Sequence, residues 1–578
     1  ILASGKHTTG HTMVSRNSFV ISRALRNFLS ASVMTSLAGQ LAVTTDAIIV
    51  SHMIGPDALS AINMAMPLTM LFSCASILIG LGASILAAKA IGNHNRERVN
   101  RIFTTALIML TLAGITVSAL TYCYRHEIVG VICDDARIAP LAFEYTRVIT
   151  GGALFLIFSN GINYFVSTDG SPGLVTKGVA AGAIANTVLD IVLVESMGIA
   201  GSAWATIINY VITLAVVATH FFRKSSSYRL VNPVKGAASY IICNLYEGLP
   251  LMLGNLLLGG AVFLINSMIL GAAGADGIYI WAVCLQVLML TFVILNGVGN
   301  AMLSIGGVLG GEKDYTGIRI LTRLSLRLVG IILSLFMLLV LLFPEVPAYL
   351  FGADEAPAGV DIETPLRIFS LLLVPFAVTL VMRFLFQILE HRILSLIMSA
   401  GQLAGMIACL WIFVELAPDK LWWSFPVSAV ALILIQAVAT FTIYIAKQRK
   451  VSPLTLIPRN PEGEYSADFS VACNKETTTR AIEKIEEFLR RRNVEASKVH
   501  IFKKGCADIM HRLMLNAGNK KRYFDIHIRI IGKEVQAVLR DTGKRLSPQQ
   551  MLKDIPARID HKYMYGQNVL FMHFFEQE

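Results

Sequence analysis

Apolar segments close to a bilayer in length recur along most of the chain. Twelve of them alternate with short polar stretches, and about 20 apolar residues are enough for a helix to cross the hydrocarbon core. They cover roughly 27–55, 58–92, 102–123, 140–167, 178–197, 199–221, 239–270, 277–310, 326–343, 365–388, 393–415 and 424–446. The pattern predicts an α-helical polytopic membrane protein with twelve transmembrane helices.

The charged residues between the apolar segments predict the orientation of the chain. Loops and ends on the side of the N-terminus carry twenty Lys and Arg residues, whereas the opposite loops carry three, Arg125, Arg137 and Lys420. Positive charge concentrates in cytoplasmic loops. Both termini are therefore predicted to be cytoplasmic, in a multi-pass protein of the cell inner (plasma) membrane. The same loops account for the net charge of +11, so no nucleic-acid partner is predicted.

The two halves of the apolar region resemble each other. Residues 90–98, AIGNHNRER, follow the second segment, and residues 308–314, VLGGEKD, follow the eighth. Both come after a Gly-rich helix end, and both halves start from the same side of the membrane. This predicts two parallel six-helix lobes around a central cavity, which is transporter architecture. The pairs Gly80 and Gly82, and Gly297 and Gly299, are also expected to permit close helix packing.

Six regions follow from these patterns, and the last differs in composition from the rest. Three prolines mark a linker after the last apolar segment, and about 110 residues of mixed polarity follow it, in which the periodicity alternates between helix and strand. The regions are a cytoplasmic N-terminal segment (1–26), a first lobe (27–221), an inter-lobe loop (222–238), a second lobe (239–450), a linker (451–467) and a cytoplasmic α/β domain (468–578).

Composition agrees with this division and excludes other classes. Hydrophobic residues make up 55% of the 578 residues, charged residues 15%, and the mean hydropathy is +0.63, so a soluble protein of this size is excluded. The eight cysteines form no Cys-x-x-Cys pair and no Cys/His ligand spacing, and no structural metal site is predicted. No catalytic residues stand out, and the protein is not expected to be an enzyme.

Acidic side chains inside the apolar segments are the strongest functional signal. Asp46 lies within the first segment, and Asn186 and Asp190 lie four residues apart on one face of the fifth. A charged side chain at the centre of a membrane helix costs roughly 2.5 to 3.5 kcal/mol or more and normally faces a protein-lined cavity. Carboxylate, amide and hydroxyl oxygens suit a hard cation or a shared proton. A polar cluster that only pins the helices together is the structural alternative.

Two basic side chains in the apolar segments receive a plainer interpretation. Lys89 lies one turn from a cytoplasmic loop and is expected to extend its amine to the membrane surface. Arg383 is expected to be a helix-end residue. Neither is predicted to belong to a site.

The first lobe resembles the multidrug and toxic compound extrusion (MATE) transporters. The resemblance rests on residues 45–59, on the Ser-Thr-Asp-Gly-Ser-Pro stretch at 167–172, on Asn186-x-x-x-Asp190, and on the stretch from Met197 to Thr206. It implies two six-helix lobes, alternating access, and export of cationic drugs driven by H⁺ or Na⁺. The family's cation site corresponds here to Asp46, Asn186, Asp190 and Thr206, with Na⁺ as one candidate ion at Asp46 and Asp190. Span 1 lacks the internal proline that bends it in many members, which puts a bending gate in doubt.

The C-terminal domain resembles a degenerate form of the histidine-kinase-like ATPase domain of anti-sigma factors. Its pattern is a strand near 469–472, two helices near 477–492 and 504–516, strands at 523–531 and 534–540, and a closing helix at 568–575. Asp541 and Gly543 match the adenine-binding Asp-x-Gly, Asp508 takes the place of the Mg²⁺-binding acid, and Gly566 that of a lid glycine. Arg512 and Asn568 depart from the family pattern. The resemblance implies weak nucleotide binding or protein binding without phosphoryl transfer, and an unrelated α/β domain is the alternative.

Three functions remain open at this point. The first is a secondary active antiporter that exports cationic or amphipathic small molecules and is regulated by its C-terminal domain, with no cofactor besides the coupling ion. The second is a membrane-anchored signalling protein that uses the fold as a sensor. The third is a flippase for lipid-linked sugars. The acid pair favours the antiporter, because an anchor has no use for two costly carboxylates.

Overall fold

The computed structural model describes residues 16–133, 137–232, 237–350, 361–459, 464–515, 523–531, 534–543, 545–546 and 558–574. They divide into two compact units, one of which comprises residues 25–457 and the other the chain up to Ala24 together with residues from Pro458 onward. The division places the start of the first long helix with the C-terminal domain.

Eleven helices in the described residues are long and apolar enough to cross a membrane, and a bent pair counted as one span makes twelve. The predicted number of spans is thus confirmed. Spans 1 to 6 are Phe19–Met53, Asp57–Gly92, Arg96–Cys123, Ala139–Gly151 with Ala153–Thr168, Pro172–Met197 and Ile199–Ala218. Spans 7 to 12 are Ala237–Gly274, Asp276–Gly311, Tyr315–Leu342, Glu363–Ile388, Arg392–Leu416 and Pro418–Ala446. Short helices Arg125–Ile132 and Glu345–Leu350 follow spans 3 and 9.

The two lobes repeat the same sequence of breaks and helix ends. Gly55 and Gly274, both with positive φ, separate the first two spans of each lobe. Asn95 and Asp314 each cap the next span by accepting a backbone N–H bond. These landmarks are displaced by about 219 residues, which matches the predicted repeat.

Span 1 is one continuous helix of 35 residues. Gly39 lies inside it with open space beside its Cα. Span 4, in contrast, bends by 53° between Gly151 and Ala153. The bend within the first lobe therefore lies in span 4 and not in the helix that carries Asp46.

The C-terminal domain is an antiparallel sheet packed against two helices. Its strands are β1 Glu464–Ala472, β2 Tyr523–Ile531, β3 Glu534–Asp541, β4 Arg558–Met564 and β5 Gln567–Phe574, in the order β1-β2-β3-β5-β4. Helices Lys475–Arg491 and Ala496–Leu515 pack against each other. The core includes Ile485, Phe502 and Met510 of the helices and Ile526 and Leu539 of the sheet.

The predicted closing helix at 568–575 is wrong, because residues Gln567–Phe574 form strand β5. Tyr565 and Gly566, both with positive φ, make the two-residue turn between β4 and β5. Such a turn joins two adjacent antiparallel strands. Short apolar runs are ambiguous between helix and strand, and here pairing with β3 decides.

Candidate functional site

The carboxyl groups of Asp46 and Asp190 meet inside the first lobe. Span 1 provides Asp46 and span 5 provides Asp190, and their side chains lie within hydrogen-bonding reach of each other. The Ser202 hydroxyl of span 6 donates to Asp46 Oδ1 at 2.7 Å. Asp190 is fully buried, and among the described residues no amide or hydroxyl donates to either of its oxygens.

No basic side chain in the described part of the chain forms an ion pair with either carboxylate. Two like charges this close repel each other strongly where the dielectric constant is low. Both carboxylates can be ionised together only when a cation lies between them, and otherwise one of them must hold a proton. The arrangement is thus suited to binding and releasing a single positive ion.

Neutral polar groups complete the predicted site. Asn186 is buried one turn before Asp190, and its amide nitrogen has no acceptor among the described residues. Thr206 lies beside the hydroxyl of Tyr145, and that hydroxyl lies close to both carboxylates. The structure thus brings together all four predicted residues, Asp46, Asn186, Asp190 and Thr206.

A cavity of about 350 Å³ opens beside the acid pair. Asp46, Asn186 and Thr206 line it, and side chains of spans 1, 2, 4, 5, 6 and 8 enclose it. Four of its amides, Asn160, Asn163, Asn209 and Asn300, were not predicted as site residues. Apart from Asp46, its lining residues are uncharged, so the cavity holds one carboxylate in a lining of amide, hydroxyl and apolar side chains.

Some site residues were missed for identifiable reasons. Asn160 and Asn163 are polar residues in an otherwise apolar span, a signal that was visible in the sequence. Ser202 belongs to a stretch used for the family resemblance but was not assigned a role. Tyr145 gave no signal, since tyrosines are common in membrane helices near the interface.

A buried ion cluster joins the two lobes near the end of span 2 and the starts of spans 7 and 11. Lys89 Nζ of span 2 lies 2.6 Å from Glu247 Oε1 of span 7 and 3.4 Å from Glu390 Oε1. The other carboxylate oxygen of Glu247 pairs with Arg392 at the start of span 11. Lys89 lowers the pKa of Glu390 below its ordinary value, although burial opposes this. The prediction that Lys89 extends to the membrane surface is wrong, because a partner in the other lobe binds its amine.

Direct backbone contacts surround this cluster. A Cβ atom at Gly248 of span 7 would come 2.0 Å from the Leu78 carbonyl oxygen of span 2. A Cβ at Gly92 would come 2.1 Å from the Val308 carbonyl oxygen of span 8. Only glycine fits such close approaches. The Thr168 and Ser304 hydroxyls, one from each lobe, also lie 3.3 Å apart. The lobes are therefore closed against each other on this side.

In the C-terminal domain, Asp541 ends strand β3 and accepts from the Gly543 backbone N–H at 2.9 Å. Asn568 Nδ2 donates to the same carboxylate oxygen at 3.2 Å, and its Oδ1 accepts from His561 Nε2. Burial lowers the pKa of His561, so this imidazole is neutral. Asp508 lies on helix Ala496–Leu515. Gly566 lies in the hairpin turn described above.

The N-terminal residues form a second ion cluster with the sheet of the same compact unit. Arg16 Nε lies 3.0 Å from Asp525 Oδ2 of β2, and its Nη1 lies 3.6 Å from Asp468 of β1. The Asn17 backbone N–H donates to the Ser470 hydroxyl at 2.9 Å. Arg540 is the cross-strand neighbour of Asp525. Its burial, and to a lesser degree Arg16, lower the pKa of Arg540 well below its usual value.

Two repeated lobes of membrane helices, an uncompensated acid pair beside a cavity of mixed polarity, and closure of the lobes on one side define a polytopic membrane protein of the two-lobe transporter type. The MatE family model matches residues 31–192 and 250–411, one match in each lobe. The chain belongs to the MATE family.

Individual relatives are distant. The chain is 23% identical over 208 residues to the probable multidrug resistance protein YoeA of Bacillus subtilis, which covers 35% of this chain and 45% of that protein. It is 26% identical over 193 residues to an FAD transporter of Shewanella oneidensis, covering 32% and 41%. It is 22% identical over 228 residues to the multidrug export protein MepA of Staphylococcus saprophyticus, covering 38% and 49%. The matches span less than half the length of each curated relative.

Solved structures share the fold of the membrane region. A MATE protein crystallised in the bent conformation superposes with a TM-score of 0.68 at 23% identity, over 75% of this chain and 99% of that one. An outward-facing multidrug resistance MATE transporter superposes with a TM-score of 0.67 at 22% identity, over 75% and 97%.

Proposed function

We propose that this protein is a secondary active antiporter that exports cationic or amphipathic small molecules in exchange for H⁺ or Na⁺. The observation that carries the proposal is the acid pair. Asp46 and Asp190 belong to different helices and have no basic partner among the described residues, and Asp46 lines a cavity. Binding of an ion between the two carboxylates then changes the arrangement of spans 1 and 5. This rearrangement in turn changes the affinity of the cavity for substrate.

The proposal includes the direction of transport and the place of the protein in the cell. The lobes are closed at the ends where Lys89 and Glu247 meet, which the loop charges assign to the cytoplasm. The state described is then the one that opens outward. Both termini are cytoplasmic and the membrane is the cell inner membrane under this proposal. The multidrug names of two relatives support a drug-like substrate.

The test is efflux from vesicles under an imposed gradient. Purified protein in liposomes is loaded with an amphipathic cationic dye, and a pH gradient or a Na⁺ gradient is imposed separately. We expect efflux under one gradient and its loss when an ionophore collapses that gradient. Absence of dye movement under both gradients, in vesicles with verified protein insertion, would contradict the proposal.

Two other functions make different predictions in the same vesicles. A flippase for lipid-linked sugars would translocate a labelled lipid without moving the dye. A membrane-anchored signalling protein would do neither and would bind a cytoplasmic partner through its C-terminal domain. Both alternatives leave Asp46 and Asp190 without a purpose, and the proposed antiporter explains them.

We propose also that the C-terminal domain regulates transport through the residues that precede span 1. Arg16 is buried between Asp468 and Asp525 of the sheet, and the Phe19 ring packs against Tyr523 with centroids 5.2 Å apart. The helix that begins at Phe19 continues to Met53 and carries Asp46. A nucleotide or a cytoplasmic protein that binds the domain can thus change the position of span 1.

Loss of the Arg16 charge tests this contact. Removing one partner of a buried ion pair costs about 3–5 kcal/mol, so Arg16→Gln should speed backbone hydrogen exchange in β1 and β2 by about 100-fold or more. The efflux rate should change with it. Arg26→Gln, at an exposed position of the helix that begins at Phe19, should change neither the exchange rate nor the efflux rate. Faster exchange with an unaltered efflux rate would show that the contact stabilises the domain and does not regulate transport.

The C-terminal domain is not expected to hydrolyse ATP. In the alignment with histidine-kinase-like ATPase domains, Arg512 takes the position of the Mg²⁺-binding asparagine. Gly566 lies in a tight hairpin turn. We expect turnover by the full-length protein below about 0.01 s⁻¹, against roughly 1–100 s⁻¹ for kinases. A phosphate-release assay with Asp541→Ala as the background measures it. Faster turnover that is lost in Asp541→Ala would show that the domain retains catalysis.

A further inference from the structure

The second lobe contains an arginine with no carboxylate partner among the described residues. Arg383 lies inside span 10, about one and a half turns before the helix ends at Ile388, so the expectation of a helix-end residue is wrong. Its Nη1 donates to the Ser399 hydroxyl at 3.1 Å, and its guanidinium carbon lies 5.1 Å from the Phe384 ring centre. Its Nε is buried without an acceptor in the described part of the chain.

Nearby ion pairs do not neutralise this charge. Lys89 and Arg392 match Glu247 and Glu390 one for one, and that cluster has no carboxylate left over. An unpaired cation in a membrane span is costly and marks a functional site by default. Arg383 therefore calls for an anion that the described chain does not provide.

The internal repeat shows where Arg383 lies. Span 4 ends at Thr168 and span 10 at Ile388, and spans 5 and 11 begin at Pro172 and Arg392. In this register Arg383 and Ser399 correspond to Asn163 and Val179. Both of these line the first-lobe cavity.

Further neighbours agree with this placement. Gln387 and Ser395 correspond to Ser167 and Val175, which also line the first-lobe cavity. A Cβ atom at Gly254 would come 3.0 Å from Arg383 Nη1. When Gly274 is aligned with Gly55, Gly254 corresponds to Thr35. Thr35 is a lining residue as well. The guanidinium thus occupies the second-lobe counterpart of the first-lobe cavity.

The acid pair has no counterpart in the second lobe. Asp46 corresponds to Ile265 and Asp190 to Leu410, and both are buried apolar residues, 1% and 0% exposed. The two lobes therefore differ in the charges that they carry at these positions. The first lobe has two carboxylates, and the second has one guanidinium. A substrate that contacts both lobes meets an acidic group on one side and a basic group on the other.

From this geometry we propose that Arg383 is an anion-binding site for the carboxylate of a zwitterionic amphipathic substrate. The inference rests on the proposed export function and narrows the substrate class from cations to molecules that carry both a positive and a negative charge. A guanidinium matches the two oxygens of a carboxylate and neutralises one charge. A doubly charged phosphate group would need more than this one cation.

Rhodamine 110 and rhodamine 123 test the inference, because they differ only in a free carboxylate against its methyl ester. Fluorescence anisotropy with the purified full-length protein measures both dissociation constants without a gradient. We expect the wild type to bind rhodamine 110 at least about tenfold more tightly. Arg383→Gln should reduce this preference to about twofold or less and leave rhodamine 123 binding intact. Arg383→Lys should keep part of it.

Arg367→Gln is the matched control, because Arg367 is an exposed residue of the same span that pairs with Glu363. It should retain the wild-type preference. Equal or weaker binding of rhodamine 110 by the wild type would overturn the inference, and this arm requires no variant to fold. A preference that survives in Arg383→Gln would also overturn it. Because no gradient is used, failure here leaves the vesicle test of antiport untouched, and the reverse holds as well.

Discussion

Asp46→Asn and Asp190→Asn are each expected to reduce gradient-driven efflux to the level of protein-free vesicles. Each amide keeps the shape of the side chain and cannot release a proton or balance a cation. The Ser202 hydroxyl can still hydrogen bond to the amide introduced at position 46, so folding and expression should change little. In the proposed mechanism one ion binds between the two carboxylates, so loss of either carboxylate removes the link between ion binding and conformation.

The double variant distinguishes a coupled pair from two independent groups. Residues that act as a unit are strongly non-additive, so Asp46→Asn with Asp190→Asn should be little worse than either single change. Asp57→Asn is the control, since Asp57 is an exposed acid at the start of span 2. If Asp46→Asn exports as fast as the wild type under a verified gradient, the cluster only pins the helices and the coupling site lies elsewhere.

Glu247→Gln is expected to open the side of the protein where Lys89 and Glu247 meet and to slow the transport cycle. Glu247 is fully buried and bound by both Lys89 and Arg392. Removing its charge leaves Lys89 and Arg392 with Glu390, a mostly exposed carboxylate, as their remaining acidic neighbour. Losing one member of a buried ion pair costs about 3–5 kcal/mol. This penalty applies only when the lobes are closed, so the ratio of closed to open protein should fall by about 100-fold or more.

A pair of introduced cysteines measures that ratio. The Thr168 and Ser304 side chains approach to 3.3 Å across the lobes, so Thr168→Cys with Ser304→Cys should cross-link efficiently in a background without native cysteines. Glu247→Gln should reduce the cross-linking rate, and so should Lys89→Gln. Glu363→Gln removes an exposed ion pair of the second lobe and should have no effect. An unchanged rate in both buried variants would show that glycine-mediated packing alone closes the lobes.

Span length and the spacing of residues along a helix could be predicted from local sequence, whereas the partner of Lys89 and the pairing of β5 could not. Span length follows directly from apolar length, and the spacing of Asn186 and Asp190 follows from the helical period. The partner of Lys89 lies 158 residues away in the other lobe. The sequence around a lysine near a helix end does not show whether its amine is exposed or forms an ion pair.

The C-terminal domain shows the same limit. The apolar run at 568–575 fits a helix or a strand by its own pattern, and its pairing with β3 residues some 30 positions earlier makes it a strand. Arg16 appeared to be one more basic residue of a cytoplasmic end. Its contact with Asp525 spans 509 positions, and no periodicity in the sequence encodes it.

That separation affects how the protein is made. Ribosomes add about 5–20 residues per second, so Asp525 emerges roughly 25 to 100 s after Arg16, which lies 509 positions before it. During this interval Arg16 is a positive charge ahead of the first span, and in the proposed topology it helps to retain the N-terminus on the ribosome side. The ion cluster forms only after all twelve spans have been synthesised. A truncated product lacks it, and Arg16 then stays accessible to proteases on that side of the membrane.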